Sequence, residues 1–290
     1  MLCLLLCAAA PCAWAKDSIT WGITDWPPVY ILPGDAVPQD LMHQGWPDHT
    51  IDALTQALPE FEHRRVLMNA DRLTSMMDAG EHVCYATIIL TPMRDKTRYF
   101  TYANFSEPRS LIVPAALVPK LTLKDGAVVL SALLQDSRFK GLLVSQRSYG
   151  MALDAVLHDA RAGAITRVNS PDMGRNLLHM LLAGRMDYTI EYPSSLDYRR
   201  RLDPRFNALD ALPIAEDTNL TWDGVACPHN EWGKAVIEKI DAALPALVAD
   251  PAYRAARMRW LSPALRDRLA RQIDEFYRFR SKPGRTNIKP

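Results

Sequence analysis

The sequence lacks the compact motifs that mark many enzymes and nucleotide-binding proteins. It has no P-loop, no glycine-rich dinucleotide motif, no paired Cys/His metal spacing and no G-x-S-x-G turn. The net charge is only +1, which argues against nucleic acid or an acidic membrane surface as the main partner. We therefore expect no cofactor, no metal site and no nucleic-acid partner.

Long hydrophobic runs are also missing beyond the first fifteen residues, so we expect a soluble mature protein. Residues 2–10 are apolar, and residues 13–15 (Ala-Trp-Ala) form a small-x-small cleavage pattern. This stretch predicts a signal peptide over residues 1–15 and a periplasmic location. No Lys or Arg precedes the apolar run, and a start codon further upstream would account for that. Cys12 raises the alternative of a lipoprotein, although the preceding Pro11 fits a lipidation site poorly.

Cysteine is scarce in the mature chain. Three of the five cysteines lie within residues 1–15 (Cys3, Cys7 and Cys12), leaving Cys84 and Cys227. An even number suits an oxidising compartment. A bond between them would close a long loop, which the chain-entropy model values at roughly 5 kcal/mol. The alternative is two separate buried thiols.

Strand-like and helix-like segments alternate along the chain, which predicts an α/β protein with mainly parallel sheets. Asn69 is expected to cap one helix, and Thr91 followed by Pro92 is expected to open the next. Pro245 should kink or split a helix predicted over residues 231–248.

Three segments together resemble one family. The first is residues 73–108, which contain a Thr-x-x-Arg turn followed by Phe-Ser and Pro. The other two are residues 183–187 (Ala-Gly-Arg-Met-Asp) and residues 25–28 (Asp-Trp-Pro-Pro). Their order and spacing are similar to family 3 extracellular solute-binding proteins, the polar amino-acid-binding group. The resemblance implies a type II periplasmic-binding-protein fold, in which two crossover strands join two α/β lobes around a ligand cleft, as in a Venus flytrap.

The resemblance also implies a division of the chain. After the signal peptide, residues 16–106 would begin lobe 1, residues 107–215 would form lobe 2, and residues 216–280 would return to lobe 1. Residues 281–290 are polar and are expected to be a disordered tail. The division places Cys84 and Cys227 in the same lobe, which favours a disulfide, and the family default is a monomer.

Arg94 is the expected anchor for a carboxylate. It lies in the first turn of a Thr-capped helix, where a guanidinium and free backbone N–H groups can hold an anion together. Thr87 and Thr91 could donate hydroxyl hydrogen bonds beside it. In the family the matching arginine holds the ligand's α-carboxylate, but Ile89 stands where relatives often carry a serine. The alternative is a surface arginine paired with Asp95 or with a neighbour.

The expected site residues of lobe 2 depart from the family pattern. Amino-acid binders have an acid for the ligand's ammonium where this chain has Tyr192, and Glu191 comes one residue earlier. Strand alternation would point the two in opposite directions. Either Glu191 reaches the cleft through a bulge, or the ligand is not a simple α-amino acid. Arg147 and Ser148 are expected at a helix start that contacts ligand, with pairing of Arg147 to Asp154 or Glu191 as the alternative.

Tryptophans are expected to wall the cleft, since small-molecule sites combine large apolar walls with few polar groups. Trp26 follows the first strand, where the family places a ring over the ligand. Trp46 lies in the next predicted loop. For each of them, ordinary packing is the alternative.

These features predict a periplasmic protein that closes its lobes around a small, carboxylate-bearing solute such as an amino acid. It would deliver the solute to a membrane partner, either an ABC-transporter permease or a sensor. One alternative is a ligand-sensing module for a signalling protein. Another is a dehydratase-like enzyme, with Glu191 as its general acid or base.

Overall fold

The computed structural model describes residues 16–33, 37–145, 147–169, 172–173 and 175–288. The predicted signal peptide, with Cys3, Cys7 and Cys12, lies outside the described residues. No helix within them is both long and apolar enough to cross a bilayer.

Strands occur throughout the described chain. In order they are β1 (Ser18–Ile23), β2 (Glu62–Leu67), β3 (Val83–Ile88), β4 (Arg98–Ser106), β5 (Ser110–Pro114), β6 (Leu123–Lys124), β7 (Ala127–Val128), β8 (Gly141–Val144), β9 (Ile165–Val168), β10 (Thr189–Glu191), β11 (Leu209–Pro213) and β12 (Thr221–Pro228).

Helices alternate with these strands. They are α1 (Trp46–Ala57), α2 (Ala70–Asp78), α3 (Pro92–Thr97), α4 (Leu130–Leu133), α5 (Met151–His158), α6 (Arg175–Leu182), α7 (Pro193–Leu202), α8 (Glu231–Ala249), α9 (Pro251–Met258) and α10 (Pro263–Arg280).

Two sheets define two lobes. Lobe 1 contains the order β2-β1-β3-β12-β4, in which β1 is parallel to β2 and β3, and β12 is antiparallel to its neighbours. Lobe 2 contains the sheet β10-β5-β11 and the parallel pair β8-β9. A hydrogen bond from Leu142 N to Tyr188 O joins the two. The chain crosses between the sheets over residues 107–109 and 214–220. The predicted two-lobed α/β fold with two crossings is confirmed.

The predicted helix starts are present where their caps lie. The Asn69 side chain accepts a hydrogen bond from Arg72 N, and Thr91 Oγ1 accepts one from Arg94 N at 3.3 Å. Pro92 occupies the first turn of α3, where its missing N–H costs no helical hydrogen bond.

Of the two outcomes predicted for Pro245, a kink or a split of its helix, the split does not occur. Helix α8 continues from Glu231 to Ala249. A proline frees the carbonyl four residues earlier, which is that of Asp241. Arg280 Nη2 donates to this carbonyl at 2.6 Å, so a distant side chain replaces the missing helical bond.

Residues 281–288, for which the sequence predicts a disordered tail, make hydrogen bonds to lobe 1. Asp241 accepts from Arg285 N and from the Arg280 guanidinium, and Asn287 Oδ1 accepts from Phe100 N at 2.7 Å. The tail therefore bonds along the outer edge of β4, because its backbone finds partners that a polar composition does not reveal. Residues 289–290 lie outside the described residues.

Cys84 and Cys227 form a disulfide, as the sequence analysis favoured. They lie on the neighbouring strands β3 and β12 with Cα atoms 4.4 Å apart. Both are fully buried in the core of lobe 1. The bond links two strands that are 143 residues apart in sequence.

The lobes touch through an apolar seam. Tyr192 and Tyr198 of lobe 2 belong to the same buried cluster as Trp26, Trp46 and Trp260 of lobe 1. Across the same boundary, Met173 N donates to Asp25 O at 3.2 Å. The two lobes are therefore packed against each other on this side.

Candidate functional site

The candidate site lies where strand ends from both lobes meet. Trp26 follows β1 and Arg94 follows β3, whereas Arg147 follows β8 and Glu191 ends β10. Ligands of open α/β sheets bind beyond the carboxyl ends of such strands. The fold therefore brings residues that are distant in sequence to one junction.

Arg147 is at the centre of this junction. Its Nη1 and Nη2 donate to the two Glu191 oxygens at 2.7 and 2.8 Å, and Nη1 also donates to Met173 O at 3.1 Å. The guanidinium carbon lies 4.4 Å from the Trp26 ring centroid. Burial acts to lower the pKa of Arg147, but the charge of Glu191, acting with nearby tyrosines, outweighs it and raises the pKa. Arg147 thus pairs with Glu191, one of its two predicted alternatives.

Tyr192 and Glu191 reach the same region, because β10 ends at Glu191 and Tyr192 begins the approach to α7. Strand alternation therefore does not apply between them. The Tyr192 ring stacks on Trp26 with centroids 5.6 Å apart, and Tyr192 N donates to Glu191 Oε1 at 2.8 Å. Trp26 is consequently covered by Tyr192 and Arg147 together.

Trp46 does not lie in a loop; it is the first residue of α1 and only 2% exposed. Its ring meets the Tyr192 ring edge-on at 6.3 Å, and the Arg257 guanidinium lies 4.3 Å from it. Trp46 thus supports Tyr192 from behind.

Arg94 contrasts with Arg147. Its Nη1 donates to the backbone oxygen of Ile89 at 2.8 Å, and among the described residues no carboxylate oxygen lies within 4 Å of its guanidinium. Partial burial lowers the pKa of Arg94, and the charge of Asp154 opposes this. Asp95 instead accepts from Asn287, and the alternative Arg94–Asp95 pair is absent from the described residues.

Thr87 is engaged with a buried acid that the sequence analysis missed. Thr87 Oγ1 donates to Asp223 Oδ1 at 3.3 Å, and Ser106 Oγ donates to Asp223 Oδ2. Burial raises the pKa of Asp223 to about 6. The next residue, Gly224, sits at a bulge where a Cβ would lie 1.9 Å from Thr101 O, so only glycine fits there.

Ser148 organises the start of α5. Ser148 Oγ and Tyr149 N both donate to Asp154, at 2.5 and 2.7 Å. Asp154 is thereby occupied by its own helix start and does not pair with Arg147. The hydroxyl of Ser148 is likewise committed in this arrangement.

Arg109 is a further buried cation, and no sequence motif indicates it beyond its place in the first crossing. Its N and Nη1 donate to Asp217 at 2.8 and 3.3 Å, and Nη1 donates to Thr221 at 2.9 Å. Its Nη2 reaches Tyr192 OH at 3.4 Å. Arg109 therefore ties the two crossings to the aromatic cluster.

Glu107 lies in the same crossing and is 2% exposed. Its Oε1 accepts from Ser194 N at 3.2 Å, so its carboxyl caps the start of α7. Burial raises the pKa of Glu107 to about 7, although the bonds to Ser194 and the charge of Arg257 act to lower it. A titrating acid thus lies in the connection between the lobes.

Comparison with solved structures gives a consistent fold. No family model matches the chain, and no curated protein does. A histidine kinase sensor domain similar to periplasmic binding proteins has a TM-score of 0.65 and 17% identity, covering 85% of this chain and 96% of that one. The substrate-binding protein of an amino acid ABC transporter has a TM-score of 0.64 and 13% identity, covering 84% and 98%.

A periplasmic binding protein of Salmonella typhimurium with high arginine specificity has a TM-score of 0.61 and 16% identity, covering 86% of this chain and all of that one. At such identities the likeness establishes the fold. This chain therefore has the two-lobed fold of the periplasmic binding proteins, with its candidate site between the lobes.

Proposed function

We propose that this protein captures a small, carboxylate-bearing solute between its lobes in the periplasm and delivers it to an ABC-transporter permease. Closure would be a hinge motion about the two crossings, biased by contacts that the solute makes with both lobes.

The observation that carries the proposal is that Arg94 has no carboxylate partner among the described residues. Its guanidinium has only a backbone carbonyl as partner among the described residues. The amide N–H groups at the start of α3 lie at the same end. A partly buried guanidinium without a counter-ion is well suited to bind a carboxylate through paired N–H···O bonds.

The engagement of Glu191 supports binding over catalysis. A general acid or base must reach a substrate atom. Both Glu191 oxygens are instead held by Arg147 in a buried ion pair, each side chain being 4% exposed. We propose accordingly that the protein is not an enzyme.

The test is thermal unfolding of the purified protein against amino acids, small dicarboxylates and short peptides. A ligand present at 100 times its Kd should stabilise the protein by about 2.7 kcal/mol. Stabilisation that Arg94→Ala abolishes would support the proposal. A clear ligand whose effect is indifferent to Arg94 would refute the anchor, and silence across the whole set would refute the solute class.

A second candidate is a ligand-sensing domain of a signalling protein. The likeness to a histidine kinase sensor domain favours it, since that match is as good as those to transport proteins. Copurification of the protein with a permease would favour transport. A sensing role should instead leave solute uptake by the cells unchanged when the protein is removed.

A further inference from the structure

Arg147 occupies a site with the composition of a cation-binding pocket. Such a pocket needs a carboxylate in bidentate position and an aromatic face. Glu191 provides the first at 2.7 and 2.8 Å, and Trp26 provides the second at 4.4 Å. The pocket spans the lobes, because Glu191 belongs to lobe 2 and Trp26 to lobe 1.

The pocket is closed to solvent. Arg147 is 7% exposed, Glu191 3% and Trp26 8%. A second cation entering here would lose its water while facing the charge of Arg147, at a cost that only a free carboxylate could offset. Glu191 cannot offset it, since both of its oxygens already accept from Arg147.

The other described carboxylates around the junction are also occupied. Asp223 accepts from Thr87 and Ser106, Asp217 from Arg109, and Asp154 from Ser148 and Tyr149. Asp25 and Asp172 also have partners. Within the described residues, Arg94 therefore reaches no carboxylate, and none of these acids is vacant.

The charges of both arginines reach the hydroxyl of Tyr85. Tyr85 lies in β3, and its OH is 3.0 Å from Thr24 Oγ1. Burial raises the pKa of Tyr85, and the charges of Arg147 and Arg94 both oppose that rise. The self-filled pocket and the Arg94 anchor also lie beyond the same ends of the parallel neighbours β1 and β3, which Trp26 and Arg94 follow.

We infer that Arg147 fills with its own guanidinium the subsite where a solute's cationic group would bind, so the protein selects carboxylic acids that carry no ammonium or guanidinium group. This inference rests on the proposed function. It makes Arg147 a specificity-determining residue, which excludes amino acids by occupying their place.

The first test compares matched ligand pairs by calorimetric titration of the wild-type protein. Glutarate is compared with glutamate, and succinate with aspartate, so that each pair differs only in the ammonium group. We expect the acid without the ammonium group to bind at least tenfold more tightly. Equal or tighter binding of the amino acid would overturn the inference.

The second test vacates the pocket. Arg147→Ala should unfold at a lower temperature than wild type, and millimolar guanidinium chloride should restore it where equal potassium chloride does not. Arg147→Met fills the space with an uncharged chain and should not respond, nor should Arg147→Ala combined with Glu191→Gln. If Arg147→Ala is unfolded in buffer, recovery of its folded circular dichroism spectrum by guanidinium is the same positive result.

The two tests separate the inference from the function on which it rests. Arg94-dependent binding of a carboxylate without guanidinium rescue would keep the function and overturn the self-filled subsite. Guanidinium rescue without any carboxylate binding would support the subsite and overturn the proposed function. An equal response of Arg147→Ala and Arg147→Met would overturn the subsite.

Discussion

Replacing Glu107 by glutamine should make the protein's stability less dependent on pH. The carboxyl of Glu107 is 2% exposed, and burial raises its pKa from 4.5 to about 7. A folded-state pKa above the unfolded one means that the native protein binds the proton more tightly. Stability therefore falls as pH rises from about 4.5, and the loss is complete above about 7.

The magnitude follows from the size of the shift. A difference of about 2.5 pKa units, at about 1.4 kcal/mol each, corresponds to on the order of 3 kcal/mol. Asp223 and Asp48 are buried acids whose pKa values are raised to about 6 and about 7, so they add to the wild-type pH dependence. The difference between the wild type and Glu107→Gln isolates the contribution of Glu107.

The assay is urea unfolding of wild type and Glu107→Gln between pH 4.5 and 8. Glutamine keeps an oxygen to accept from Ser194 N but cannot ionise. As pH rises over this range, the free energy of unfolding of Glu107→Gln should increase relative to that of wild type by on the order of 3 kcal/mol. Glu238→Gln is the control, because Glu238 lies on an exposed face of α8, and its free energy of unfolding should change with pH as that of wild type does. If the difference in free energy of unfolding between wild type and Glu107→Gln stays constant with pH, the raised pKa assigned to Glu107 is wrong.

Other parts of the structure yield further tests. Replacing Cys84 and Cys227 by alanine should lower the free energy of unfolding by up to about 5 kcal/mol, because the 143-residue loop is no longer closed in the unfolded chain; urea unfolding with an unchanged midpoint would contradict this. Asp241→Ala should cost about 3–5 kcal/mol, since it leaves the buried Arg280 without its partner. It should also expose residues 281–288 to limited proteolysis, and a protease-resistant tail in that variant would refute the role given to Asp241.

The sequence predicts the architecture well because its signals are local. Asn69, Thr91 and Pro92 act within one helical turn, so their effects can be read from neighbouring residues. The alternation of strands and helices predicted an α/β protein, and the two lobes and two crossings were implied by the family resemblance of the three motif segments. The same resemblance placed Cys84 and Cys227 in one lobe, which favoured a disulfide but did not predict that β3 and β12 are neighbours.

Contacts between distant segments were out of reach of local patterns. The continuity of α8 through Pro245 depends on Arg280, and the order of the tail depends on Asp241 and the edge of β4. Arg109 lies in a crossing with no motif of its own, yet it touches three other segments.

At the candidate site, residue types were predicted better than their partners. Trp26, Arg147, Glu191 and Tyr192 do meet, but chiefly with one another. The sequence predicted opposite side-chain directions for Glu191 and Tyr192, because it could not locate the end of the strand to a single residue.

The most direct measurement is calorimetric titration of one carboxylate ligand into wild type, Arg94→Ala and Lys96→Ala. Lys96 is a matched control, being an exposed cation on the same short helix as Arg94. The account predicts that wild type and Lys96→Ala bind alike, whereas Arg94→Ala binds about a hundredfold more weakly, a loss of about 2.7 kcal/mol. Equal affinity of wild type and Arg94→Ala would contradict the central claim that Arg94 holds an anion between the lobes.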